Sequence, residues 1–110
     1  MGRIALAWEL GAGHGHLGRL LPVAIALRRR GHDCVFVVRD PHRAQGTVTG
    51  TVTAQGFPIL QAPIWRGATP RFDPPLSYAG IMRRCGFHAG PALAGLVACW
   101  RGLFDLIGPD

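Results

Sequence analysis

Two runs of consecutive apolar residues open the chain, with a glycine-rich turn and a helical pattern between them. Residues 3–8 (RIALAW) and 33–39 (DCVFVVR) are apolar at nearly every position, which is typical of strands covered on both faces. Residues 19–30 present a wide apolar surface and predict a helix, with Pro22 in its first turn. Because parallel strands need such a crossover, this order predicts a βαβ unit.

The end of the predicted helix accounts for the main cluster of charge. Arg28, Arg29 and Arg30 fall in the last turn, where the negative end of the helix dipole favours cations. Gly31 follows at the position where glycine commonly ends a helix, and we expect His32 to be a solvated turn residue. The chain has twelve basic residues, all arginine, against six acidic ones, a net charge of +6. A nucleic-acid surface would cluster this charge among aromatic residues, so we expect no nucleic-acid partner.

The middle of the chain carries weaker patterns. Residues 57–63 (FPILQAP) predict a short third strand. Ser77 is a typical N-cap for a short helix that would end at Cys85. Residues 41–56 give no clear element, since the β-branched residues among them disfavour a helix.

The clearest helical pattern covers residues 91–107. Its apolar stripe recurs at the helical period, which predicts core positions. The residues of the stripe are Leu93, Leu96, Val97, Trp100, Leu103, Phe104 and Ile107. In a doubly wound α/β fold another strand should follow. We therefore expect residues 1–110 to form an α/β, Rossmann-like parallel sheet, the incomplete N-terminal domain of a larger protein.

Composition and cysteine usage restrict the class of protein. An apolar share of 48% in 110 residues argues against disorder and suits one domain. The longest uncharged stretch, residues 44–65, is too rich in glycine, proline and polar residues for a membrane span. Glu9 interrupts the apolar N-terminus where a signal peptide would continue. Three widely spaced cysteines predict neither disulfides nor a thiolate zinc site. We expect buried thiols in a cytoplasmic protein without a membrane span.

The glycine-rich loop of residues 11–18 is the candidate for chemistry. A loop of this kind between a parallel strand and a helix presents backbone N–H groups and the positive helix end to a ligand. The loop also contains His14 and His16, and histidine can serve as a general base near neutral pH. A metal site is not expected, because no third ligand stands at a typical spacing.

The loop also fits the glycine pattern of dinucleotide-binding proteins. Gly13, Gly15 and Gly18 satisfy GxGxxG, and Asp40 follows Gly18 by 22 residues, close to where an acidic residue would hold a ribose. An NAD(P)- or FAD-binding oxidoreductase fragment is therefore an alternative. A truncated remnant or binding module without catalysis is a third possibility.

The stretch from Gly15 to Val35 resembles the opening of nucleotide-sugar-dependent glycosyltransferases of the two-Rossmann (GT-B) type. It is most similar to their UDP-glucuronosyl/UDP-glucosyltransferase branch. The positions in register with that pattern are His16, Pro22, Ala24, Leu27, Arg30, Gly31, His32 and Val35. Gly56-Phe57-Pro58 also resembles a turn that this family has before its third strand. Arg19 departs from the pattern, since proline is common there.

The resemblance implies a sugar transfer with inversion from a nucleotide sugar, UDP-linked in this branch, to a small hydroxylated acceptor. His16 would deprotonate the acceptor hydroxyl, and His14, Gly15, Arg19 and Trp65 would contact substrates. No cofactor or metal is implied. The family's donor-binding domain and the aspartate that orients the histidine have no counterpart in these 110 residues, so we expect this chain alone to be inactive. On the residues alone, without the resemblance, an exposed turn residue without a role is the favoured interpretation of His16.

Overall fold

The computed structural model describes residues 1–8, 15–41, 52–65, 77–88 and 90–110, with the backbone alone for His16. The described residues form the following strands and helices: β1 (Arg3–Trp8), α1 (Gly15–Arg29), β2 (Asp33–Val38), β3 (Ile59–Gln61), α2 (Tyr78–Arg84) and α3 (Gly90–Ile107). Residues 52–54 are also helical.

The three strands form one parallel sheet in the order β1-β2-β3. Arg3 is aligned with Asp33 in the first pair, and Phe36 with Ile59 in the second. The predicted βαβ unit and the α/β class are therefore confirmed, and the parallel sheet is consistent with a Rossmann-like character. β2 lies at the centre, and its Phe36, Val37 and Val38 are fully buried.

Helices cover both faces of the sheet. On one face, Leu17 and Ala24 of α1 pack with Leu6, Trp8 and Phe36 of the strands. On the other face, Trp100, Leu103 and Ile107 of α3 pack with Val35 and Val37 of β2. The central strand is apolar at successive positions because each of its faces meets a helix.

The helix α1 begins four residues earlier than the sequence predicts, and Pro22 lies inside it. The prediction that Pro22 occupies the first turn is wrong. Leu17 is only 1% exposed and packs in the core, so burial of this side chain draws residues 15–18 into the helix. Pro22 itself is exposed, and its missing N–H leaves the Gly18 carbonyl without its helical partner.

The turn from α1 to β2 confirms the predicted helix end and corrects the role of His32. Gly31 has a φ of +87°, and the His32 N–H donates to the Leu27 carbonyl at 3.1 Å, which is the pattern of a glycine-terminated helix. The Nδ1 atom of His32 accepts a hydrogen bond from the Gly2 N–H at 3.1 Å. His32 is therefore not a free turn residue, since it ties this turn to the start of β1.

The middle of the chain follows the predictions in part. Ser77 caps α2 as predicted, with its Oγ accepting from the Gly80 N–H at 3.1 Å. The third strand is shorter than the predicted residues 57–63. Val52 is helical and fully buried, so packing overrides the low helix propensity of a β-branched residue.

The helix α3 packs less tightly than its apolar stripe predicts. Only Leu96 and Ile107 are buried, whereas Val97 and Phe104 are 41% and 36% exposed. The expectation that the whole stripe is core is wrong for these two residues. A sheet of three strands is too narrow to cover a helix of 18 residues, and Leu106 is also left 86% exposed.

By length and composition alone, α3 could also cross a membrane, with a mean hydropathy of 1.3 over 18 residues. Core helices of soluble proteins meet the same criterion, and α3 packs against the sheet through Trp100, Leu103 and Ile107. The predicted absence of a membrane span therefore stays a prediction.

Candidate functional site

The candidate loop connects the carboxyl end of β1 to the amino end of α1. Trp8, the last residue of β1, is 5% exposed, and Leu17 in the first turn of α1 is buried in the same cluster. These two side chains fix both ends of the connection. His16 is the second residue of α1, so its backbone lies at the positive end of the helix. His14 and Gly13 lie outside the described residues.

The first turn of α1 has no acidic residue. Its backbone N–H groups and the helix dipole therefore meet no carboxylate from the helix itself. A phosphate or another anion is stabilised at such a position. Gly15 lies at the start of this turn, and Arg19 is exposed one turn further along α1.

The ends of the other two strands meet at the same edge of the sheet. The Gln61 side chain, through Nε2, donates to the Val38 carbonyl at 3.4 Å and to the Arg39 carbonyl at 2.6 Å. The Ala62 N–H also donates to the Val38 carbonyl, at 2.8 Å. Asp40 comes directly after the residues whose carbonyls accept these hydrogen bonds, and it is half-buried. Because carboxyl ends of parallel strands share one edge, Asp40 lies on the same edge as the loop before α1.

Trp65 is anchored to the segment after α2. Its indole N–H donates to the Cys85 carbonyl at 2.8 Å, and its ring lies 5.7 Å from the Phe87 ring, centroid to centroid. The indole N–H is therefore engaged within the chain, and the ring of Trp65 is half-buried. The other aromatic residues of these loops are Phe72, which lies outside the described residues, and Tyr78, which is 71% exposed.

The cysteines differ from one another in burial. Cys34 is buried, Cys85 is half-buried and Cys99 is exposed, and all three are free thiols. The expectation of uniformly buried thiols is wrong for Cys99, which lies on the solvent side of α3. Burial raises the pKa of the Cys34 thiol, whose Sγ donates weakly to the Ala24 carbonyl at 3.8 Å. Cys34 is thus held in its unreactive protonated form.

No group of three or more metal-ligating side chains occurs within the described ranges. An apolar cavity of about 690 Å³ opens at the opposite, amino edge of the sheet. Its walls include Leu60, Leu103 and Leu106, and Arg28 lies over the Phe57 ring at its rim. Sequence reasoning missed this cavity, because its walls come from separate elements. Ligands of doubly wound sheets bind at the other edge.

Comparisons with known proteins identify no relative. No protein-family model matches the chain, and neither curated proteins nor solved structures give a significant match. The described residues therefore define only a class, a small α/β protein with a parallel sheet of three strands.

Gly18 discriminates between the two uses of the glycine-rich loop. In a dinucleotide site the last glycine permits close packing of helix and strand. Here a Cβ placed on Gly18 would meet no described atom within 4 Å. We expect Gly18→Ala to raise the free energy of unfolding by about 0.5–1 kcal/mol, because alanine is the better helix former. Urea unfolding followed by circular dichroism measures this change.

Gly31→Ala is the matched control. Gly31 has a φ of +87°, and an added Cβ would lie 2.9 Å from the Met1 Sδ, so this alanine should lower the stability. If Gly18→Ala loses as much stability as Gly31→Ala, the space around Gly18 is not open. That result would favour the alternative that the loop belongs to an NAD(P)- or FAD-binding protein.

Proposed function

We propose that this chain is the acceptor-side, N-terminal part of a nucleotide-sugar-dependent glycosyltransferase of the GT-B type. His16 is the general base in this proposal. It removes the proton from an acceptor hydroxyl, which attacks the anomeric carbon of a UDP-linked sugar with inversion. The donor diphosphate leaves without a metal ion, and the transferase acts in the cytoplasm.

One observation carries the proposal: α1 starts within the glycine-rich loop at the carboxyl end of β1, so that His16 stands in its first turn. Buried side chains on both sides of the loop hold this arrangement. A sugar or phenol hydroxyl is a poor nucleophile until a base takes its proton. A neutral imidazole at the ligand edge of a parallel sheet is suited to that step.

The proposal gives the other predicted residues distinct roles. The N–H groups at Gly15 and the positive end of α1 stabilise negative charge on the donor or on the attacking oxygen. Arg19, exposed one turn along the helix, adds a cation near the same end. Trp65 offers its ring as a wall for an apolar acceptor, and a role for His14 in binding the acceptor rests on its place in the sequence alone.

A transfer assay tests the proposal on the protein as its own cells produce it. UDP-glucose and UDP-glucuronic acid are the donors, and a simple phenol and an alkyl glycoside are the acceptors. We expect glycosylated product to form with inverted configuration and without added metal. Absence of product with every pair, combined with tight binding of NAD(P) or FAD, would replace this proposal by the oxidoreductase alternative, in which Asp40 holds the ribose.

A further inference from the structure

The apolar cavity at the amino edge of the sheet has the size and lining of a small-molecule site. Its volume is about 690 Å³, and it lies between α3, the start of β2 and the segment that leads into β3. Leu60, Leu103 and Leu106 contribute apolar walls. Sites for small ligands commonly have volumes of about 300–1,000 Å³, mostly apolar walls and a few polar groups that orient the ligand.

The walls of this cavity retain apolar surface that the packing of the described residues does not cover. Leu60 is aligned with Val37 in the sheet. Val37 is fully buried in the cluster that contains Ile107 of α3, whereas Leu60 is 37% exposed and belongs to neither core cluster. Leu106 on α3 is 86% exposed. A ligand with an apolar body would remove this surface from water.

Arg28 provides a cation that is held in place at the rim of the cavity. Its guanidinium carbon lies 4.2 Å from the centre of the Phe57 ring. Its Nη2 donates to Gln55 Oε1 at 3.1 Å, and its Nη1 donates to the Gln55 carbonyl. A guanidinium has five N–H donors, so other donors remain for a ligand. Because these contacts already order the side chain, a ligand loses little free energy in fixing it.

The charges around the cavity favour a ligand with a single negative charge. Arg3 and Arg28 are the cations of the described lining, and Asp33 is its carboxylate. His32 also lines the cavity, and its ring is neutral when Nδ1 accepts the hydrogen bond from the Gly2 N–H. Two cations and one anion leave one positive charge, and a second negative charge on the ligand would be repelled by Asp33.

We propose that this cavity binds a small amphipathic anion, an apolar chain that ends in one carboxylate. The Arg28 guanidinium holds the carboxylate at the rim, since its planar donors match the two oxygens. The apolar chain lies against Leu60 and Leu106. The proposal is independent of the proposed function, because neither Arg19 nor Trp65 lines this cavity.

Calorimetric titration tests the proposal on the protein as its own cells produce it. The probes are octanoate, octan-1-ol and octylammonium, which share one apolar chain and differ in the charge of the head group. We expect a single octanoate to bind per chain. The alcohol and the ammonium should bind about tenfold more weakly or less, because a hydrogen bond to a charged group contributes about that factor. Equal affinities for octanoate and octan-1-ol would overturn the proposal.

Arg28→Gln should weaken the binding of octanoate about tenfold and leave that of octan-1-ol unchanged, since only the carboxylate needs the cation. Arg29→Gln is the matched control, because Arg29 is the next residue of α1, is also exposed and does not line the cavity. It should change neither affinity. Equal losses in the two variants would mean that the general positive charge of α1 attracts octanoate, which would overturn the proposal.

Leu60→Ser locates the apolar chain of the ligand. It should weaken octanoate and octan-1-ol alike, several-fold, because the wall of the cavity loses apolar area. Ile64→Ser is its control, since Ile64 follows the same strand, is 47% exposed and does not line the cavity. Unchanged binding of both probes in Leu60→Ser, or equal losses in the two serine variants, would place the ligand elsewhere and overturn the proposal.

Discussion

Phe36→Ala should lower the free energy of unfolding by about 3–5 kcal/mol, the usual cost of removing a fully buried phenylalanine side chain. Phe36 is 0% exposed at the centre of β2. Its ring meets the Phe57 ring edge-on, with centroids 5.5 Å apart, and such pairs add to the loss beyond the buried area. A domain of this size has about 5–15 kcal/mol in total, so the variant should unfold at a much lower urea concentration.

Tyr78→Ala is the matched control for this measurement. Tyr78 is also aromatic, but it is 71% exposed at the start of α2. Its removal should change the stability by no more than about 0.5 kcal/mol. Equal urea midpoints for the two variants would mean that Phe36 does not lie in the core that joins α1 to the sheet.

The fold was predictable where one residue decides the local geometry. Gly31 ends α1 as expected, because a φ of +87° is favourable only for glycine. Ser77 caps α2 through a hydrogen bond between neighbours in sequence. Such contacts involve residues that are close along the chain, so the pattern of residues contains them.

Boundaries that depend on tertiary packing were not predictable in the same way. Pro22 favours a helix start, yet the burial of Leu17 extends α1 past it toward the loop. Val52 is helical because its side chain fills the core. The exposure of Phe104 reflects the width of a sheet whose strands are far away in sequence. Each of these three features depends on contacts with residues that are distant in the sequence, so the pattern of neighbouring residues does not predict it.

In the candidate site, too, the sequence predicted local features but not the contacts between residues far apart in the chain. The sequence places His16 at the beginning of a helix that follows a strand, and the backbone of α1 agrees. The contacts from Trp65 to Cys85 and from His32 to Gly2 join residues 20 and 30 positions apart, and no spacing rule predicts them. Because residues 9–14 lie outside the described ranges, the arrangement of His14 around the site rests on the sequence alone.

His16→Ala should lower the rate constant of sugar transfer by about 10²- to 10⁴-fold, which is the usual contribution of a general base. The loss should appear in kcat, with the KM for the UDP-sugar nearly unchanged, because the role proposed for His16 concerns the acceptor hydroxyl. The base must be neutral, so the wild-type rate should fall toward acidic pH and this dependence should vanish in the variant. Steady-state transfer measured across a pH series on the protein as its own cells produce it checks both effects.

His14→Ala is the control variant, which distinguishes the loss of a catalytic base from a general disturbance of the loop. It removes the same side chain two residues earlier, and a residue that only lines the cleft should cost less than about tenfold, mainly in the KM for the acceptor. A full rate in His16→Ala, or equal losses in the two variants, would remove His16 from the role of base. After a full rate in His16→Ala, His14 would be the remaining histidine of this loop that could act as the base.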